Sequence, residues 1–149
     1  GTGWGTDGTA WGGEFLVGDC RQFRRAAHLR RVRMPGGEQA VREPWRMALA
    51  HLRDAGLDAA PLQARVPPVA LRTAEAMLEK GFNAPLTSSV GRLFDAVAAL
   101  GGVRDRASHE GQAAVELEWL ASGRAAEGGY PVELAEAGGV LEVDTRPLI

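Results

Sequence analysis

The sequence predicts an α/β or α+β domain, with strands at both ends and helices in the middle. Three observations carry this. Glycine-rich turns and alternating apolar and basic residues fill the first 37 positions. Four stretches with apolar residues at helical spacing follow, most of them closed by glycine. The tail then returns to short alternating runs around "AGG". Strands, helices and strands in that order fit a layered sheet-and-helix architecture.

Element by element, "TAWGGEFLVGD" reads as a short hairpin arm, preceded by the turn-forming "TDGT". "FRRAAHLRRVRMPGG" takes period two from Ala27 onward and closes at "PGG", so it is an extended edge. In "EQAVREPWRMALAHLRDAGL", Pro44 suits a first helical turn and Gly56 a C-terminal cap. Trp45, Ala48, Leu49 and Leu52 share one face between them. "LQARVPP" is a linker whose prolines stop a helix. "VALRTAEAMLEKGFN" is a second amphipathic helix, with Val69, Leu71, Met77 and Leu78 apolar and Gly81 at its end. In "APLTSSVGRLFDAVAALGG", Thr87, Ser88 or Ser89 caps a helix whose apolar face is Leu93, Phe94, Val97, Ala98 and Leu100. "SHEGQAAVELEWLASG" is helical from Gln112 and stops at Gly123, and "YPVELAEAGGVLEVDTRPLI" is a hairpin.

With 149 residues the chain can bury one core, and a net charge of −2 argues against the basic surplus that nucleic-acid binding needs. The single cysteine, Cys20, rules out an intrachain disulfide framework. Apolar runs fall far short of the ~20 residues that span a bilayer. No signal-peptide pattern is legible, so a cytoplasmic location is the expectation. The chain starts at Gly1 and ends on the apolar Ile149, which suggests a piece cut from something larger.

"GTGWGTDG" does not space its glycines as a dinucleotide fingerprint does, and an extended segment follows it where a helix should. It is a hairpin, with a nest of backbone N–H groups facing phosphate as the second reading. His28, His51 and His109 are far apart, without metal-ligand spacing; His51 reads as a surface or edge residue and His109 as a solvated turn. Cys20 is a buried or edge thiol without an activating partner. The arginines from Arg21 to Arg33 form a solvated strand face or, alternatively, a patch for phosphate or an acidic partner. Asp95 differs from these, because it interrupts a nearly uncharged helix. Buried and unpaired, such a carboxylate costs several kcal/mol. It must therefore meet solvent, Arg92 or a ligand hydroxyl, and surface exposure and ligand binding weigh evenly.

Four blocks, "GTGWGTDGTAWGGEF", "AHLRRVRMPGGEQAVREPWRMAL", "NAPLTSSVGRLFDAVAALGG" and "SHEGQAAVELE", closely resemble successive blocks of the HypF-type hydrogenase-maturation carbamoyltransferases. They match the C-terminal part of that family, which is related to the TsaD-type tRNA threonylcarbamoyladenosine enzymes. The resemblance covers nearly the whole chain. It implies that residues 1–149 are part of a TsaD-like carbamoyltransferase domain, truncated at both ends. The implied fold is actin-like (ribonuclease-H-like, the ASKHA class), with an N-terminal β-hairpin, central helices and a C-terminal β-hairpin.

The implied enzyme is cytosolic and uses carbamoyl phosphate and ATP. It forms carbamoyl-adenylate and passes the carbamoyl group to the C-terminal cysteine of a HypE-type acceptor protein. That step leads to the cyanide ligands of [NiFe] hydrogenase. A divalent metal would be held by ligands outside this chain and zinc by other domains. No nucleic acid or membrane partner is implied, and the fragment alone would not turn over.

Residue by residue, the resemblance carries a phosphate-side hairpin onto Gly1, Thr2 and Gly3, extending to Thr6 and Asp7. It carries the ribose-binding aspartate onto Asp95, and a glycine of the following turn onto Gly111, where "HEGQ" replaces the Pro-Gly-Gly of TsaD-type proteins. Two other readings stand beside it: an O-carbamoyltransferase acting on a small-molecule hydroxyl, and a non-catalytic interaction module docking through its arginine-rich edge.

Overall fold

The computed structural model describes residues 3–125 and 127–149. Among the described residues the chain forms two four-stranded sheets and a helical core, a mixed α/β arrangement. Strand β1 (Gly3–Trp4) pairs antiparallel with β2 (Ala10–Trp11), forming the expected N-terminal hairpin. The expected single arm over residues 9–19 instead divides between the sheets. After β2 the chain turns at Gly12 and Gly13 and enters β3 (Glu14–Gly18), which pairs with β4 (Phe23–Leu29) in the second sheet. Gly13 is needed at this crossing, since an added Cβ would lie 2.2 Å from the Ser88 carbonyl oxygen. A short β5 (Val32–Arg33) returns to the first sheet.

Helix α1 (Gln39–Arg42) leads through Pro44 into α2 (Trp45–Asp54), which buries Trp45, Ala48, Leu49 and Leu52 as the spacing predicts. A short helix, α3 (Ala60–Gln63), runs into the expected linker at residues 62–68, and Leu62 and Val66 are drawn into the core. In α4 (Pro68–Lys80) the proline occupies the first turn, and Gly81 at φ +64° ends the helix in the left-handed conformation. Its buried positions are Leu71 and Ala74, while Val69 is exposed.

Strand β6 (Leu86–Thr87) joins β2 to β5; its parallel match of Ala10 with Thr87 ties the N-terminal hairpin to the middle of the chain. Thr87 is therefore a strand residue, and Ser89 caps α5 (Val90–Leu100) through a hydrogen bond from Arg92 N. The buried face of α5 is Arg92, Leu93, Asp95, Ala96, Ala98 and Ala99, with Phe94 outside. Alanines at 96 and 99 let α5 lie against α2, whose Trp45, Met47 and Leu49 are almost wholly enclosed. Each of those large side chains contributes about 1.5–3 kcal/mol by leaving water.

Helix α6 (Gln112–Ala121) packs on α5. The tail forms β7 (Leu134–Ala137) and β8 (Val140–Val143), a hairpin turning at Gly138 and Gly139. Its strand β8 runs parallel to β4, so the second sheet has the order β3-β4-β8-β7. No helix among the described residues is long and apolar enough to cross a membrane.

Candidate functional site

An open cleft of about 800 Å³ lies between the N-terminal hairpin, the turn before α1 with α1 itself, and the loop that precedes α6. Gly3 and Trp4 form one side, Arg42 and Thr87 line it, and Arg92 meets the loop Ser108–His109–Glu110 at the other. Pairing of β2 with β6 brings residues more than seventy positions apart to this cleft. The loop is fixed from below: Ala107 N donates to Arg42 O, and both Ser108 N and Ser108 Oγ donate to Gln112 Oε1.

Asp95 does not meet solvent. It is 2% exposed, with Arg92 beside it at 4%. Arg92 Nε lies 2.9 Å from Asp95 Oδ2, and Arg92 Nη2 lies 4.0 Å from Glu110 Oε1. The close pair is misaligned, for neither Arg92 Nε nor Asp95 Oδ2 has a hydrogen-bond partner among the described residues. Burial pushes the Asp95 carboxyl up to about 6; the Arg92 charge opposes the rise and Glu110 adds to it. Most buried polar atoms in folded proteins are hydrogen-bonded, so an orphaned pair in a perturbed carboxyl's surroundings marks a candidate ligand site.

Gly111 follows directly, as the residue from which α6 starts, at φ +79°. No atom of the chain lies within 4 Å of a Cβ built there, and the positive φ is the reason within this chain for a glycine. Arg92 and Glu110 thus line the cleft together with Gly3, while Asp95 lies behind Arg92 and Gly111 follows Glu110, both outside the lining. Gly1 and Thr2 lie outside the described residues.

Thr6 and Asp7 sit in the turn between β1 and β2, away from the cleft lining. The Asp7 carboxylate is already filled. Oδ1 accepts from Thr9 N, Thr9 Oγ1 and Trp11 Nε1, while Oδ2 accepts from Arg25 at 2.8 Å and Arg31 at 3.1 Å. Desolvation raises its pKa, but these hydrogen bonds outweigh that and hold the carboxyl well below the usual range. Arg25 also stacks on the Trp11 ring, 4.4 Å from its centroid. Asp7 closes a structural knot between the hairpin and β4.

Several expectations for other residues change. His51 is buried in α2, where desolvation lowers its pKa to about 4. Cys20 is exposed at the β3–β4 turn. The arginine run is only partly free: Arg25 and Arg31 pair with Asp7, and Arg30 with Asp54 and Glu142, while Arg21 and Arg24 stay exposed as a solvated face would have them. A second groove of about 400 Å³, beside α2 and α4, sets Arg31, Arg33 and Arg53 against Asp54, Glu75 and Glu79; it holds part of the arginine run and none of the residues carried over for the nucleotide. Sequence reasoning missed Trp4 and Glu110 in the cleft, and also Glu14. The last accepts from Gly12 N and Gly13 N and from Ser88 Oγ, clamping the hairpin to the start of α5. Arg92 entered the sequence reading as one of three possible partners for the Asp95 carboxylate.

Residues 1–149 match the family model described as carbamoyltransferase, Kae1-like domain, second subdomain. The chain is 45% identical over 151 residues to carbamoyltransferase HypF of Rhizobium leguminosarum bv. viciae, covering 100% of this chain and 19% of that protein. Against carbamoyltransferase HypF of Rhodobacter capsulatus it is 48% identical over 150 residues, covering 99% and 19%. A crystal structure of full-length HypF in a phosphate- and nucleotide-bound form superposes with a TM-score of 0.85 at 37% identity, over 99% of this chain and 19% of that one. HypF of T. kodakarensis gives 0.78 at 29% identity, over 99% and 20%. The chain spans about a fifth of the length of these relatives.

Proposed function

Because this chain belongs to the carbamoyltransferase family, in the second subdomain of its Kae1-like domain, we propose that it forms one wall of a nucleotide site in a HypF-type enzyme. The observation that carries the reading is the buried, incompletely satisfied Asp95–Arg92 pair at the end of a cleft faced by the glycine hairpin. A carboxylate with an unused oxygen suits a sugar diol, and glycine-flanked backbone suits phosphate. The phosphate and nucleotide named for the superposable HypF structure support it.

In this reading the substrates are carbamoyl phosphate and ATP, and the bound species is carbamoyl-adenylate. Asp95 accepts from the ribose hydroxyls, while Gly3 and its neighbours face the phosphate. The acceptor is a cysteine thiolate at the C-terminus of a HypE-type protein. Its sulfur attacks the carbamoyl carbon, and the C–O bond to phosphate breaks with the electron pair leaving on AMP. This chain's contribution is to hold the anhydride in line and to shield it on one side. Among the described residues no group of three or more His, Cys, Asp or Glu can hold a metal ion, so no step is assigned to a metal through this chain. Cytosolic location and zinc in other domains belong to the same proposal.

Calorimetric titration of AMP into the intact enzyme tests it. Asp95→Ala should weaken binding at least about tenfold, or about 1.4 kcal/mol. Unchanged affinity removes Asp95 from the site.

A further inference from the structure

We propose that Arg92 is a positioning residue for sugar recognition: its guanidinium holds the Asp95 carboxylate at the cleft without saturating it, leaving an oxygen for ligand hydroxyls. This rests on the nucleotide reading above and adds a second residue and a division of labour to it.

The argument is geometric. Arg92 is the member of the pair that lines the cleft, while Asp95 lies behind it on the same helix face. Both side chains are almost fully enclosed, at 5% and 3% exposed, whereas Glu110, the other acid near Arg92, is 69% exposed. Other arginines of this chain present the planar fork to a carboxylate in aligned hydrogen bonds, as Arg30 does to Asp54 at 2.7 and 3.0 Å and Arg104 to Glu116 at 2.6 and 2.7 Å. Arg92 instead makes one close, misaligned approach at 2.9 Å, which leaves Asp95 Oδ2 without a donor among the described residues.

Two carboxylates, Asp95 and Glu110, stand beside the one guanidinium. Backbone geometry fixes the arginine as well, because its own N–H donates to the Ser89 cap at 3.4 Å.

The experiment compares adenosine with 2′-deoxyadenosine in the intact enzyme. Trp4 lines the same cleft and is 71% exposed, so its fluorescence, taken as the signal lost in Trp4→Phe, reports this site. The wild-type enzyme should prefer adenosine by about tenfold or more. Arg92→Gln should abolish that preference while leaving 2′-deoxyadenosine affinity within about twofold. Arg92→Lys keeps the charge but lacks the Nε–H, and should cut the preference by about threefold. Equal weakening of both nucleosides, or an intact preference in Arg92→Lys, overturns the positioning role and leaves the nucleotide reading standing. No Trp4 response to either nucleoside in the wild-type enzyme overturns both.

Discussion

Around α2 the apolar side chains point inward, and on the β3–β4 hairpin they point out. Trp45, Met47, Leu49 and Leu62 are at most 2% exposed, whereas Phe15, Leu16, Val17 and Phe23 are each at least half exposed. Both regions are regular, hydrogen-bonded structure, so backbone pairing does not distinguish them. The helical half has a second layer to press against, since α4, α5 and the Leu62 turn close over α2. Among the described residues the second sheet has no such layer over these four side chains. Stability is therefore concentrated on one side of the molecule. The cleft lies where the first sheet meets that stable side, so its helix-borne residues inherit a rigid support.

Substitution in the core should break the helical half first. Trp45→Ala removes a nearly buried indole and should cost about 3–5 kcal/mol in chemical denaturation. A loss near 1 kcal/mol would mean that the core collapses easily around the gap.

Two buried titratable groups sharpen the same contrast. Between about pH 4 and 6 the raised Asp95 carboxyl keeps a proton that the unfolded chain has released, so its contribution makes stability fall as pH rises. His51 works the other way: between its lowered value of about 4 and the ordinary 6.5 the unfolded chain holds the extra proton, so stability rises with pH. Each contribution is about 3 kcal/mol, and in the wild-type chain the two oppose each other. Asp95→Asn should expose the His51 slope, with denaturant midpoints climbing from pH 4 to neutrality, and His51→Gln should expose the opposite one. Asp144, held at about 2 by the Arg146 hydrogen bonds, titrates below this window. Parallel pH profiles in the two variants would contradict the burial of one group or the other.

Smaller effects test the margins. Ser89→Ala deletes the α5 cap and should cost about 1 kcal/mol, by thermal melting. Phe15→Ser on the bare sheet should stay within about 0.5 kcal/mol. A larger loss would show that this face packs against something in the intact enzyme.

The contrast also explains how much was legible in the sequence. Helices whose apolar spacing is continuous and whose ends carry Pro or Gly, such as α2 and α4, are encoded locally and were readable, as was the tail hairpin. What escaped depends on partners far along the chain. The match of Ala10 with Thr87 and of β4 with β8 is not written in either segment alone, so the division of residues 9–19 between two sheets was invisible. Periodicity placed Phe94 on the buried face of α5 and left Arg92 off it. The structure reverses both, because an ion pair with Asp95 lets an arginine go inside. The resemblance pointed to Asp95 and Gly111, yet the cleft's Trp4 and Glu110 carry no signal that one sequence can show.

The most direct test of the central claim is photo-cross-linking of 8-azido-AMP to the intact enzyme, followed by peptide mapping. Label in peptides carrying Trp4, Arg42 or the Ser108–Gly111 loop, lost in Asp95→Ala, is the predicted result. Label confined to the Arg31–Arg53 groove, or cleft label indifferent to Asp95, would contradict the assignment of the cleft as the nucleotide site.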